Sequence, residues 1–167
     1  MKKFLFLFVF AFSLLSSCTS EESNTTTYYL IRHAEKDRTD EKDRNPNLNE
    51  KGLERAKKWA QYFKKIDLDA VYSTNYNRTQ QTATPTAKDK KLEILNYSPR
   101  KMYDSIFQQN TKGKTVLVVG HSNTTPAFTN KILGEKKYGN INDRDNASLF
   151  IVTISGDKTT SKVEKVE

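Results

Sequence analysis

One cysteine and two histidines are all that 167 residues provide of the two side chains most used for metals and nucleophiles. There is no His-x-x-x-His, no second cysteine and no calcium-loop pattern, so no sequence motif for a zinc, iron–sulfur or calcium site is present. A lone cysteine cannot close an internal disulfide, and at position 18 it precedes the folded part, which removes thiol catalysis from that part. The lysines are dispersed and no aromatic-basic motif accompanies them, so the net charge of +8 reads as a solvated cationic surface that attracts acidic substrates or headgroups, and nucleic acid is not an expected partner. No internal repeat and no long transmembrane run appear. With 29% charged and 35% hydrophobic residues the chain has the balance of one globular domain.

The exception to that balance is the N-terminus. Lys2 and Lys3 precede an unbroken apolar run over residues 4–12, followed by Ser13, Leu14, Leu15, Ser16, Ser17 and Cys18. A basic start, a short apolar core and small residues before a cut mark a secretory signal, too short to span a bilayer. Leu15-Ser16-Ser17-Cys18 resembles a bacterial lipobox, in which the cysteine is acylated and becomes the new N-terminus. The expected organisation is a signal at residues 1–17, a lipidated Cys18 with a polar tether to residue 27, and a domain over residues 28–167. The expected location is extracytoplasmic, on a bacterial membrane, held by lipid.

In the domain, apolar β-prone runs alternate with helical periodicity. Tyr28-Tyr29-Leu30-Ile31 reads as a buried strand. Asn49 caps a helix whose buried face is Leu53, Ala56, Ala60 and Phe63 with Trp59, ending near Lys65. Residues 68–72 form a second strand, residues 79–83 or slightly beyond a short helix, and residues 92–97 a third strand. Ser98-Pro99 opens a helix that turns Met102, Ile106 and Phe107 inward. Residues 115–119 are the most hydrophobic strand. A helix follows from Asn123, containing Phe128, Ile132 and Leu133 and closed by Gly134. Residues 149–154 and 162–166 end the series as a core strand and an edge strand. This alternation predicts an α/β three-layer sandwich with a mostly parallel central sheet between helices.

Both histidines stand directly after an apolar strand, at the edge where open α/β sheets place their sites. Arg32 precedes His33, Gly120 precedes His121, and a third strand end leads through Ser73 to Arg78. If the three strands share a sheet, Arg32, His33, Arg78 and His121 converge. Two guanidiniums hold a phosphoryl group through bidentate hydrogen bonds. A neutral imidazole can attack phosphorus, and a second, cationic one can stabilise the equatorial oxygens.

Four motifs in order resemble the histidine phosphatase superfamily, which includes the phosphoglycerate mutases. They are Leu30-Ile31-Arg32-His33-Ala34-Glu35, then Leu48-Asn49-Glu50-Lys51-Gly52-Leu53-Glu54-Arg55-Ala56, then Ser73 with Arg78-Thr79-Gln80-Gln81-Thr82-Ala83, and Val118-Val119-Gly120-His121-Ser122-Asn123. Together they cover roughly residues 28–155. The resemblance implies His33 as a phosphorylated nucleophile, Arg32, Arg78 and His121 as the rest of the phosphate pocket, and no cofactor or metal. Asn49 and Gly52 read as a cap and a packing residue. The implied substrate is a small phosphorylated molecule. The alternatives are a phosphoester-binding lipoprotein without turnover, a mutase, and a phosphohistidine phosphatase.

The family's usual acids are missing. Ser122 follows His121 where many members carry Asp, and Asn96-Tyr97 occupies the region of the expected Glu. Glu35, two residues past the nucleophile, is the first positional candidate for the proton donor. Asp104 is the second, and Glu93 fits better within its strand.

Overall fold

The computed structural model describes residues 25–167. The lipobox-like segment and Cys18 lie outside the described residues. Eleven elements follow one another: β1 (Thr25–Arg32), α1 (Glu50–Phe63), β2 (Ala70–Ser73), α2 (Asn77–Lys90), β3 (Ile94–Asn96), a 3-10 turn (Pro99–Lys101), α3 (Ser105–Thr111), β4 (Thr115–Gly120), α4 (Thr124–Leu133), β5 (Ser148–Ser155) and β6 (Lys158–Lys165). The strands form one sheet in the order β3-β2-β4-β1-β5-β6. The first four run parallel; β5 runs antiparallel to β1, and β6 antiparallel to β5.

The sheet is a double-sided core because its two central strands are apolar in their middles, β1 over Tyr28–Ile31 and β4 over Val116–Val119. In β4, Val116 and Val118 face a layer containing Tyr28, Leu30, Phe107 and Phe128, while Leu117 and Val119 face Ile31, Trp59, Phe63 and Val71. Strand alternation thus sends neighbouring residues of one strand to opposite helical layers. Helices α3 and α4 cover the first face, α1 and α2 the second. This is the expected sandwich.

Register decides where function can sit. Arg32 pairs with Gly120, and Ser73 with Val119, so the C-terminal ends of β1, β2 and β4 finish level with one another. Because β5 is antiparallel, with Ile31 opposite Leu149, its N-terminal end arrives at the same edge. The segment between α4 and β5 therefore crosses that edge.

Several boundaries differ from expectation. Strand β1 begins at Thr25, since Thr25, Thr26 and Thr27 pair with Ser155, Ile154 and Thr153, which shortens the tether. Threonine is β-branched and suits a strand once a partner is present. Helix α2 runs on to Lys90 through Pro85, because Thr82, Ala83, Thr86 and Ala87 are buried, the two alanines against the sheet. Strand β3 is shorter and β6 longer than expected.

Two side chains expected in the core lie outside it. Leu53 is 45% exposed. The buried face of α1 begins at Gly52, and Leu53 stands about 100° round from it, in a crevice beside Pro85. Ile106 is 66% exposed. Ser98 caps only the 3-10 turn, accepting from the Arg100 N–H, and α3 starts afresh at Asp104, whose carboxylate accepts from the Phe107 N–H at 2.9 Å. The break turns Ile106 outward and leaves Phe107 buried.

Candidate active site

The three level strand ends are tied together by backbone. The His33 N–H donates to the Gly120 carbonyl at 2.9 Å, and the Thr74 N–H to the Val119 carbonyl at 3.3 Å. Gly120 is required by close approach, since an added Cβ would stand 2.8 Å from Tyr97 Oη and 2.9 Å from Thr124 Oγ1. Gly52 packs α1 onto the loop after His33; a Cβ there would lie 2.0 Å from the Glu35 carbonyl oxygen. Asn49 caps α1 as expected, accepting from the Gly52 N–H at 2.9 Å.

His33 is 4% exposed. Its Nδ1 is 2.7 Å from the Ala34 carbonyl, which can only accept, so Nδ1 carries the proton and Nε2 keeps a lone pair. Burial, opposed in part by that hydrogen bond and reinforced by Arg32, His121 and Arg78, lowers its pKa to about 3. The imidazole is therefore neutral at pH 7. The His33 and His121 rings lie 5.5 Å apart at 67°.

His121 meets Thr74 Oγ1 through Nε2 at 3.0 Å and Arg78 Nη2 through Nδ1 at 3.5 Å. Arginine can only donate, so Nδ1 accepts and Nε2–H donates. Burial and the charges of Arg78, Arg32 and Lys36 lower the His121 pKa to about 4. The second imidazole is thus neutral in the free protein, not cationic as expected, because it is buried and stands beside arginines. Tyr76 places its ring edge-on to His121 at 5.0 Å and lies 4.6 Å under the Arg78 guanidinium.

Arg32 is 3% exposed and held by the segment ahead of β5. Its Nη1 donates to the carbonyls of Asn142 at 2.9 Å and Asp145 at 3.2 Å, and its Nη2 to Asp143 Oδ1 at 2.7 Å. The other Asp143 oxygen accepts from Arg38 Nη2 at 2.7 Å. Although burial acts to raise it, the hydrogen bonds from Arg32 and Arg38 keep the Asp143 carboxyl below its ordinary range. The Nε groups of both Arg32 and Arg78 are buried and have no partner among the described residues. Unsatisfied guanidinium donors on two arginines that line one cavity point to an anion.

A cavity of about 430 Å³ is lined by Arg32, His33, Arg78 and His121 together with Lys36 and Asp143. The four residues singled out in the sequence thus come together. A second cavity of about 860 Å³ shares His33, Lys36 and Asp143 with the first and adds Glu35, Arg38 and Arg144. The acid candidates fare differently. Glu35 reaches the larger cavity, but both of its oxygens accept from Arg55 Nε at 2.9 Å, and Arg55 also donates to the Val166 carbonyl at 3.5 Å. That arrangement braces the His33 loop against α1 and the C-terminus. Asp104 is spent as the cap of α3, and neither it nor Glu93 lines either cavity. Asp143 was not visible in the sequence. The only signal was a polar stretch before a core strand, and using it required the direction of β5.

Among the described residues no three His, Cys, Asp or Glu side chains gather as a metal cage, and no helix is long and apolar enough to cross a membrane.

Residues 28–98 match the family model of the histidine phosphatase superfamily, branch 1. No curated protein matches the chain. Solved structures resemble it over most of its length. A phosphoglycerate mutase from Bacillus anthracis is 19% identical with a TM-score of 0.61, covering 87% of this chain and 94% of its own. The protein YhfR of Bacillus stearothermophilus is 16% identical with a TM-score of 0.65, covering 83% and 96%. A mycobacterial glucosyl-3-phosphoglycerate phosphatase is 11% identical with a TM-score of 0.62, covering 84% and 98%. At these identities the shared property is the fold, which is phosphoglycerate mutase-like.

Proposed function

We propose that the chain is a histidine phosphatase, hydrolysing small phosphate monoesters through a phosphohistidine on His33. One observation carries the reading: the neutral His33, with Nδ1 fixed on the Ala34 carbonyl, lines the same cavity as Arg32, Arg78 and His121. The family match over residues 28–98 supports it.

The chemistry follows from the donors present. His33 Nε2 attacks phosphorus; the P–N bond forms as the bond to the leaving oxygen breaks, and that oxygen takes a proton. Water then attacks the phosphohistidine, the P–N bond breaks, and inorganic phosphate leaves with His33 neutral again. Arg32 and Arg78 stabilise the charge spread over the equatorial oxygens, and His121, whose Nε2–H is held by Thr74 Oγ1, donates to them from Nδ1 once the bound anion favours its protonated form. The tautomer matters as much as the position, since an Nε2 proton would block the attack.

Hydrolysis is favoured over phosphoryl transfer between sugar positions by the short link between α2 and β3. Only residues 91–93 separate them, so no inserted cap closes over the cavity there. A binding-only reading has one observation in its favour, the capture of Arg32 by Asp143. Turnover separates the two. Purified protein should hydrolyse an aryl phosphate with chelator present, and His33→Ala should abolish turnover while keeping the folded circular-dichroism spectrum. Full activity in that variant refutes the nucleophile. The proposal includes extracytoplasmic anchoring by lipid on Cys18, supported by the lipobox-like Leu15-Ser16-Ser17-Cys18.

A further inference from the structure

The phosphatase reading leaves the leaving-group proton without a carrier. An alkoxide leaves poorly unprotonated, so a donor must reach the bridging oxygen directly or through one water. Among the described residues Asp143 is the one carboxylate that lines the cavity holding His33, Arg78 and His121. It also lines the larger cavity, and with His33 and Lys36 it forms the wall common to both. A monoester with its phosphoryl group in the smaller space and its organic part in the larger one has its bridging oxygen at this wall. The carboxylate is also one hydrogen bond from a phosphate ligand, with Oδ1 2.7 Å from Arg32 Nη2. An oxygen that engages the same guanidinium therefore lies within contact range of Asp143.

Resting on the phosphatase reading, we propose that Asp143 is the proton carrier of both steps, a catalytic residue supplied by the segment between α4 and β5.

The proton balance closes without another reactant. In the free protein Asp143 is ionised between Arg32 and Arg38. A monoester at neutral pH still carries one phosphoryl proton in part of its population, its second pKa being about 6. When the phosphoryl oxygens take Arg32, Asp143 loses an arginine hydrogen bond and gains an anionic neighbour. Both changes favour its protonated form. The proton held between phosphoryl group and carboxyl passes to the bridging oxygen as the P–O bond breaks and the P–N bond forms. The carboxylate then takes a proton from the attacking water as the P–N bond breaks. Product phosphate leaves with that proton, and Asp143 returns to Arg32. Its side chain is 67% exposed, so little packing holds it against such movement.

The test compares an aryl phosphate, whose phenolate leaves unaided, with a simple alkyl phosphate. In Asp143→Asn, kcat/KM for the alkyl ester should fall about 100-fold or more, a typical contribution of general acid catalysis. For the aryl ester it should fall less than about tenfold, with phosphohistidine accumulating at steady state. Asp143→Glu should restore part of the alkyl rate. Equal losses on both esters would make Asp143 a structural anchor and overturn the assignment. A gain in turnover or in affinity for inorganic phosphate would make it a competitor for Arg32, which also overturns it. Wild-type protein inactive on both esters would instead refute the phosphatase reading itself.

Discussion

The protonation state of His33 makes folding stability depend on acid in a way that can be measured. In the folded chain its pKa is lowered to about 3, against 6.5 for an unperturbed histidine. Between those values the unfolded chain binds a proton that the folded chain does not. The stabilisation is therefore complete above pH 6.5 and is lost progressively as pH falls toward 3. Each unit is worth about 1.4 kcal/mol, so at pH 4.5, about two units below the unfolded value, the linkage reaches about 2.7 kcal/mol. Local hydration of the charged ring reduces this to roughly 2 kcal/mol in practice. The assay is urea unfolding of wild type and His33→Asn at pH 7 and pH 4.5, the asparagine offering a neutral polar side chain that does not titrate. With a slope of about 1–3 kcal/mol per molar urea, the wild-type midpoint should drop roughly 0.7–2 M further than that of the variant. His121, lowered to about 4, works in the same direction in both proteins and so largely cancels. Parallel losses in the two proteins would refute a buried neutral His33.

Three further outcomes follow from the same geometry. Gly52→Ala places a Cβ 2.0 Å from the Glu35 carbonyl oxygen, so the first turn of α1 or the His33 loop must shift; thermal melts should show a loss of about 1–3 kcal/mol, with kcat falling as well, and an unchanged melt would contradict the close packing. Arg78→Ala should reduce kcat/KM on an aryl phosphate by about 100-fold or more, and Arg78→Lys should recover little, because an ammonium lacks the planar fork that serves both His121 and phosphate. Cys18→Ala should move the protein from the membrane fraction to the soluble one, and a wild-type protein already wholly soluble would contradict the lipid anchor.

What the sequence made legible was whatever depends on local pattern. The valines of β4, the apolar run of β1 and the two strand-end histidines needed only periodicity and position, and the four phosphate-pocket residues came from there. What it hid depends on partners distant in the chain. Thr25–Thr27 is indistinguishable from a polar tether until β5 pairs with it. Pro85 reads as a helix stop unless Ala83 and Ala87 on either side of it are known to pack against the sheet. Asp104 looks like a free acid because its capping of Phe107 N–H depends on where α3 starts. Glu35 stands near the nucleophile in sequence, but Arg55 claims its carboxylate. Asp143 is the clearest case. It lies 110 residues beyond His33 in an unpatterned polar segment, and only the antiparallel direction of β5 brings that segment over the site.

The central claim is a covalent bond between phosphorus and His33 Nε2. The direct measurement is a rapid quench of wild-type protein during turnover of a 32P-labelled aryl phosphate, followed by mapping of the labelled peptide. The label should sit on His33, stable to base and lost in acid, and should be absent from His33→Ala. Label recovered instead on Ser122 or Thr124, or turnover with no labelled protein at any quench time, would contradict it.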